Sequence, residues 1–192
     1  TLGRTTVICT DKTGTLTENN LIVEALLIPS GESLKEAQIL ALDYIRGSGE
    51  SSQVITAISN YLETNKIETN NLFIDALPFS SWRQFGAVRI TENRKKKIIF
   101  IGAPDAYLPY FTNTKDRRWV EQQINEHGKR GERLVAIAES NSTELPHNLK
   151  DAKLKICGIY VFQSELRQGI SSAIKFFQDR GTRVPFPRGF RP

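Results

Sequence analysis

Apolar residues recur at helical spacing in two neighbouring stretches of the first third of the chain. Ser33 followed by Glu36 forms a capping box, which predicts the start of the first helix. The segment Gly47-Ser48-Gly49 ends that helix, and Ser51 or Ser52 caps the second one. The apolar positions are Leu34, Ala37, Ile39, Leu40, Leu42 and Ile45 in the first helix and Val54, Ile55, Ile58, Tyr61 and Leu62 in the second.

From residue 72 the pattern changes to short apolar and β-branched runs that are typical of strands. Three strands are predicted at 72–77, 85–90 and 98–101, and the basic run 92–97 between the last two favours a solvated hairpin tip. Elsewhere the pattern predicts strands at 20–28, 134–138 and 154–162 and helices at 104–110, 115–127 and 168–180.

The two ends of the chain are organised differently from its middle. Residues 5–10 form a short β-branched and apolar run, which predicts a buried strand. The strand at 154–162 is followed by the helix at 168–180 and by the start of another strand at 182–184, an order that predicts a parallel sheet. We therefore interpret the chain as an α/β protein in which a domain with an antiparallel sheet is inserted into a loop of another domain.

Composition excludes several classes of protein. Of 192 residues, 39% are apolar and 24% charged, which is typical neither of disordered chains nor of membrane proteins. The formal charge is +5, but Arg180, Arg183, Arg188 and Arg191 leave 22 basic against 21 acidic residues in 1–179. This distribution argues against a nucleic-acid partner. Because the chain contains no Met, we expect it to be a piece of a longer protein.

The cysteine content argues against a disulfide framework or a structural zinc site. Cys9 and Cys157 both lie in apolar stretches, there is no CxxC motif, and the chain has only two histidines. We expect two buried thiols that act as small apolar residues, in a protein whose compartment is the cytosol.

The stretch from Cys9 to Thr17 has the strongest chemical pattern. Asp11 follows the predicted first strand, and the carboxyl ends of such strands face the crevice where α/β sheets bind ligands. A carboxylate at that place can attack phosphorus and form an acyl phosphate. Gly14 permits a tight turn whose backbone N–H groups hold phosphoryl oxygens, and Thr13 adds a hydroxyl.

Asp11-Lys12-Thr13-Gly14-Thr15-Leu16-Thr17 resembles the phosphorylation motif of the P-type cation-transporting ATPases, which belong to the haloacid-dehalogenase superfamily. The resemblance implies that Asp11 is the phosphorylated nucleophile, with Lys12 and Thr13 as its catalytic neighbours. It also implies that Asp11 and Thr13 bind Mg²⁺ together with residues outside this chain. Phosphatases of the superfamily carry a second Asp where this chain has Thr13, which favours a pump over a phosphatase because threonine cannot serve as the general acid and base.

A segment after the first predicted strand of the middle region resembles the adenine-binding part of these ATPases. It reads Pro78-Phe79-Ser80-Ser81-Trp82-Arg83. The resemblance implies that Phe79 stacks on adenine, and that Ser80 and Arg83 belong to the nucleotide site. An aromatic face beside a cation suits a purine.

Three further places complete the predicted nucleotide site. Gly102 and Ala103 belong to a segment that resembles the family motif Lys-Gly-Ala-Pro-Glu, whose glycine allows the backbone to approach the base. Arg133 matches the arginine that reaches the nucleotide phosphates. Glu50, in the linker between the two predicted helices, is a candidate for contacting the adenine amino group.

The sequence departs from the family at several positions. Ile101 and Gln84 stand where many members have lysine, which predicts weaker nucleotide binding. Arg167 matches the arginine of the hinge motif Asp-x-x-Arg-Pro, but Ser164 and Gln168 replace its Asp and Pro.

The resemblance implies a nucleotide-binding domain at 23–155 inserted into a partial Rossmann-like phosphorylation domain at 1–22 and 156–184, with an unstructured tail at 185–192. We expect a monomeric fragment that binds ATP but does not turn over by itself. It would lie at the cytoplasmic face of the cell membrane in a pump whose missing transmembrane helices bind the cation. The alternatives are a soluble phosphatase of the same superfamily and a non-catalytic nucleotide-binding module.

Overall fold

A six-stranded sheet forms the centre of the computed structural model, which describes residues 6–10 and 15–185. The strand order is β1-β6-β5-β4-β3-β2, and every neighbouring pair is antiparallel. The strands are β1 (Thr17–Leu27), β2 (Leu72–Ser80), β3 (Phe85–Glu92), β4 (Lys95–Gly102), β5 (Arg133–Ser140) and β6 (Lys155–Leu166). The predicted α/β class with an antiparallel sheet is confirmed.

The described ranges contain five α-helices, and the two predicted N-caps are present. The Ser33 hydroxyl accepts the N–H of Glu36 at 3.4 Å, and Ser52, rather than Ser51, accepts the N–H of Ile55 at 3.3 Å. The helices are α1 (Leu34–Ser48), α2 (Gln53–Thr64), α3 (Pro104–Tyr107), α4 (Thr114–Lys129) and α5 (Ile170–Gln178), and short 3₁₀ turns lie at Leu108–Tyr110 and Leu149–Asp151.

The sheet separates two hydrophobic cores. On one face α1 and α2 bury Leu40, Tyr44 and Ile58 against alternate residues of the strands. On the other face α3 and α4 bury Tyr107 and Val120. Because side chains alternate along a strand, both faces of the central strands are apolar, and removal of this surface from water stabilises the fold.

The basic hairpin is tighter than the sequence predicted. Its tip is the pair Asn93 and Arg94, both with positive φ (49° and 64°), as the favoured two-residue hairpin turns require. Lys95 to Lys97 already belong to β4. The Lys97 side chain is only 13% exposed, because it is drawn into ion pairs with glutamates of β3 and β5. The prediction of a solvated tip over 92–97 is therefore wrong for Lys97, whereas residues 93–96 are exposed as predicted.

The predicted buried strand at the start of the chain is also not observed in residues 6–10. There, Val7 forms an isolated parallel bridge with Arg183, and the Val7 side chain is 49% exposed. Cys9 is exposed, which contradicts the predicted buried thiol, because a single bridge leaves this stretch uncovered. Cys157 is buried as predicted.

The sheet extends across the predicted domain limits. β1 begins at Thr17, ahead of the limit at 22/23, and β6 continues to Leu166, well past the limit at 155/156. β6 lies between β1 and β5, so residues 156–166 share a sheet with the predicted middle domain. The division into domains stays a prediction. No helix within 6–10 and 15–185 has the length and apolar character that a membrane crossing needs.

Candidate nucleotide-binding site

A cavity of about 320 Å³ opens at one end of the sheet, which is within the size range of small-molecule sites. The residues around it come from α1, the linker between α1 and α2, the start of α2, the end of β2, the end of β4 and the start of β5. Its lining is mainly apolar, and the lining residues are Tyr44, Glu50, Ser52, Gln53, Val54, Ile55, Phe79, Ile101, Gly102, Ala103, Arg133, Leu134 and Val135.

Five of the seven predicted nucleotide-contacting residues line this one cavity. They are Glu50, Phe79, Gly102, Ala103 and Arg133. These residues are distant in sequence, but they come together because β2 and β4 end, and β5 begins, at the same end of the sheet. Their convergence is a geometric fact, whereas their roles in binding stay predictions. Ile101 also lines the cavity and is 4% exposed, so the position where many relatives have lysine presents an aliphatic side chain.

Phe79 supplies an aromatic surface at the edge of the cavity. Its side chain is 47% exposed, although large apolar residues are usually buried. Its backbone N–H donates to Oε1 of Glu50 at 2.6 Å. The same oxygen accepts the hydroxyl of Tyr44 at 2.9 Å, which joins helix α1, the linker and strand β2.

The Tyr44 hydroxyl remains protonated in this arrangement. Burial raises the pKa of Tyr44 well above its ordinary value, and the neighbouring Glu50 carboxylate raises it further. The tyrosine therefore acts as the hydrogen-bond donor at any physiological pH, and Oε1 of Glu50 accepts. A charged acceptor makes both bonds stronger than neutral ones.

Two glycines provide the space that this end of the sheet needs. A Cβ at Gly86 would overlap the Tyr44 hydroxyl and would lie 2.9 Å from the Phe79 nitrogen. A Cβ at Gly102 would overlap the carbonyl oxygen of Gln84 and lie 2.8 Å from Cα of Phe85. Close packing of the protein with itself therefore already requires glycine at both positions.

Arg133 provides the positive charge at the cavity. It is the exposed first residue of β5, and no carboxylate within the described part of the chain forms an ion pair with it. The adjacent Glu132 is engaged with Nδ1 of the buried His127. The Arg133 guanidinium is thus available to an anion that enters the cavity.

The other two predicted nucleotide residues shape the turn after β2 instead of lining the cavity. Nη2 of Arg83 donates to the carbonyl of Pro78 at 2.6 Å, and its guanidinium carbon lies 5.9 Å from the centre of the Phe85 ring. The carbonyl of Ser80 accepts the N–H of Gln84 at 2.7 Å, and Gln84 has a positive φ of 62°. Both residues therefore stabilise the backbone that carries Phe79.

The predicted hinge residue Arg167 is not among the residues that line this cavity, and the predicted phosphorylation residues are not part of the described structure. Asp11, Lys12 and Thr13, including the predicted Mg²⁺ ligands, fall outside the described residues. Arg167 is exposed after β6, and its N–H donates to the carbonyl of Leu16 at 3.1 Å. Within the described ranges no group of three or more His, Cys, Asp or Glu side chains could hold a metal ion.

Sequence reasoning missed Tyr44 and Gly86. Tyr44 falls on the apolar stripe of α1, so periodicity alone assigns it to the core, where its ring does lie. The available signal was its hydroxyl group, because a buried tyrosine usually finds a hydrogen-bond partner. Gly86, inside an apolar strand, signals a close approach of another group.

Comparison with known proteins gives a consistent set of relatives. The chain is 26% identical over 196 residues to a probable cation-transporting ATPase, exp7, of Streptococcus pneumoniae, which covers 100% of this chain and 23% of that protein. It is 25% identical over 214 residues to the magnesium-transporting ATPase, P-type 1, of Salmonella typhimurium, covering 99% of this chain and 23% of the relative. No protein-family model matches the chain.

A solved structure shares the fold. The crystal structure of a zinc-transporting PIB-type ATPase superimposes with a TM-score of 0.57 at 22% sequence identity, covering 95% of this chain and 25% of that one. The chain thus spans about a quarter or less of the proteins that it matches. Its curated relatives are P-type cation-transporting ATPases, which confirms the resemblance that the Asp11–Thr17 motif indicated.

Proposed function

Because its relatives are P-type cation-transporting ATPases, we propose that this chain is the ATP-binding part of such a pump. The adenine stacks on Phe79 in the cavity, and the phosphates extend towards Arg133. The observation that carries the proposal is the convergence of Glu50, Phe79, Gly102, Ala103 and Arg133 on one cavity.

The chemistry of the cavity suits an adenine nucleotide. An apolar slot with an exposed aromatic ring favours a flat base over a sugar or a peptide. The arginine beside the slot, which has no ion-pair partner among the described residues, favours an anionic group on the same ligand. Because Ile101 replaces a cation, electrostatic attraction is limited, and we expect weak binding.

In the whole protein, closure towards the phosphorylation motif would bring the γ-phosphate to Asp11. Its carboxylate oxygen would attack phosphorus in line, forming an aspartyl phosphate while ADP leaves. Asp11 and Thr13 offer the oxygen atoms that Mg²⁺ prefers, and the ion would neutralise phosphate charge. The transported cation would bind to segments outside this chain, in a protein placed with this part at the cytoplasmic face of the membrane.

A second candidate is a nucleotide-binding module without catalysis. The aliphatic Ile101 in the cavity favours it, because a loss of phosphate-binding charge is tolerable when no phosphoryl group is transferred. The two candidate functions predict different behaviour of Asp11, because only the pump forms a phosphorylated aspartate. In the full-length parent protein, phosphorylation from ATP that disappears in Asp11→Asn supports the pump, and its absence supports the module.

Titration of the 192-residue chain with ATP, followed by amide NMR shifts, tests the site. We expect saturable shifts at the cavity residues, together with no steady hydrolysis of ATP in the presence of Mg²⁺. Shifts that are unchanged in Phe79→Ala would contradict the adenine position. Steady hydrolysis by the chain alone would contradict the proposal that turnover needs the rest of the protein.

A further inference from the structure

Two hydrogen-bond donors that come from separate elements meet at a single carboxylate oxygen beside the cavity. Oε1 of Glu50 accepts the hydroxyl of Tyr44 at 2.9 Å and the backbone N–H of Phe79 at 2.6 Å. Tyr44 is fully buried in α1, whereas Phe79 is half-exposed at the end of β2. We propose that Tyr44 is a positioning residue which, through Glu50, holds the Phe79 backbone so that its ring presents a stacking surface to the base.

The geometry favours a positioning role over a purely structural one. The part of β2 that carries Phe79 has an irregular register with β3 between Leu77 and Ser80, so regular strand pairing does not fix Phe79. The bond from its N–H to Glu50 replaces a missing ladder bond at that point. Since Glu50 is itself half-buried in a linker, its carboxylate needs a second anchor, and the Tyr44 hydroxyl supplies it.

Gly86 leaves room for the contact between the Tyr44 hydroxyl and the Glu50 carboxylate. A side chain at this position would overlap the Tyr44 hydroxyl and approach the Phe79 nitrogen and Oε1 of Glu50 to 2.9 and 3.1 Å. Strand β3, which lies next to the edge strand β2, therefore leaves a gap through which the tyrosine reaches the carboxylate. Apolar packing alone would not require this gap, because a phenylalanine at position 44 would fill the core without a hydroxyl that has to be accommodated.

The inference rests on the proposed function, since it assigns a role in binding the base. The test uses the 192-residue chain with two ligands, adenosine and inorganic tripolyphosphate, and the amide signal of Phe79. In Tyr44→Phe we expect adenosine affinity to fall about fivefold, because a charged hydrogen bond is lost. We expect tripolyphosphate binding to stay unchanged, and the Phe79 amide proton to move upfield in the free protein.

Tyr160→Phe is the matched control. Tyr160 is also fully buried on the same face of the sheet, but its hydroxyl has no hydrogen-bond partner in the described part of the chain. We expect this variant to bind adenosine as the wild type does and to keep the Phe79 amide shift. A general effect of removing a buried hydroxyl would appear in both variants.

The outcomes separate the two proposals. If the wild-type chain binds neither adenosine nor ATP, the proposed function is overturned. If the wild type binds and Tyr44→Phe keeps both its adenosine affinity and its Phe79 amide shift, the positioning role is overturned while the function stands. Should Tyr44→Phe fail to fold, Glu50→Gln carries the same test, because a neutral amide weakens both hydrogen bonds without removing buried volume, and an unchanged amide shift there would equally refute the role.

Discussion

The two ends of the sheet are built with opposite chemistry. At the end where the β3–β4 hairpin turns, charged side chains of alternating sign follow one another across the strands. The order is Glu92 on β3, Lys97 on β4, Glu139 on β5, Lys155 on β6 and Glu32 before α1. At the other end, glycines, aliphatic residues and Phe79 surround the cavity.

At the charged end, the side chains form ion pairs with one another. Nζ of Lys97 lies 2.8 Å from Glu92 and 2.9 Å from Glu139, and both Lys97 and Glu139 side chains are only 13% exposed. Burial alone would lower the pKa of Lys97, but the hydrogen bonds to the two glutamates outweigh it and raise the pKa above its ordinary value. The lysine is therefore held charged by its partners.

At the cavity end, an aromatic ring and a guanidinium group remain exposed. Phe79 is half-exposed, and Arg133 has no ion-pair partner in the described ranges. Ion pairs thus link the strands at one end of the sheet, whereas the other end exposes an aromatic ring and a cation around a cavity. Binding surfaces are expected at the end where stability is not the main use of the side chains.

The largest expected effect comes from breaking the charged end. Lys97→Met keeps much of the side-chain volume but leaves Glu92 and Glu139 without their shared cation. We expect the free energy of unfolding to fall by about 2–4 kcal/mol, because the largely buried Glu139 loses its nearer cation and the partly exposed Glu92 loses the same partner. Urea denaturation measures it, and adenosine affinity should not change because the cavity is at the other end.

Lys95→Met is the control in the same strand. Lys95 is exposed, and such surface substitutions usually change stability by no more than about 0.5 kcal/mol. Equal effects of the two substitutions, or a loss of adenosine binding in Lys97→Met, would break the contrast between the ends.

What the sequence predicts well is what depends on neighbours along the chain. The Ser33 cap lies three residues from Glu36, and the helices and the six strands of the sheet follow local periodicity, so these features were predicted correctly, unlike the strand expected at the start of the chain. The convergence of Phe79, Gly102 and Arg133 was expected from the resemblance, because each belongs to a short motif that can be matched on its own.

What the sequence does not reveal depends on partners that are remote in the chain. Lys97 looks like part of a solvated basic run, since its partner Glu139 is 42 positions away and on another strand. Tyr44 looks like an ordinary core residue until the fold brings Glu50 and Phe79 to its hydroxyl. Cys9 is in an apolar stretch that predicts burial, but among the described residues a single bridge between Val7 and Arg183 forms beside it, and Cys9 is exposed.

The second prediction concerns the aromatic surface at the cavity end. Phe79→Ala should lower adenosine affinity about tenfold, since stacking of a base on an aromatic ring contributes about 1–3 kcal/mol. Calorimetric titration measures it. Phe176→Ala is the matched control, because Phe176 is similarly exposed (51%) but lies on α5, and it should bind adenosine normally. Equal losses in both variants would show that exposed phenylalanines matter only for folding.

A smaller effect is expected at the arginine of the cavity. Arg133→Gln should weaken ATP binding about three- to fivefold and leave adenosine binding unchanged, because an exposed cation contributes a modest, screened attraction to phosphate. The difference between ATP and adenosine should shrink further in high salt. Arg130→Gln serves as the control, since Arg130 is exposed at the end of α4 and already pairs with Glu126. Adenosine binding that falls as much as ATP binding would place the phosphates elsewhere.

The smallest expected effect is the pH dependence of the stability that Lys97 contributes at the charged end. The pKa of Lys97 is raised in the folded protein, so its contribution to stability is complete below the unfolded pKa of about 10.5 and declines as pH rises through the folded value. The stability difference between wild type and Lys97→Met should therefore stay constant from pH 7 to about pH 10 and narrow above it, by about 1 kcal/mol. The difference cancels the titration of tyrosines common to both proteins. Adenosine affinity should not follow this profile, because Lys97 lies at the end of the sheet away from the cavity, and a parallel decline would mean that the two ends are coupled.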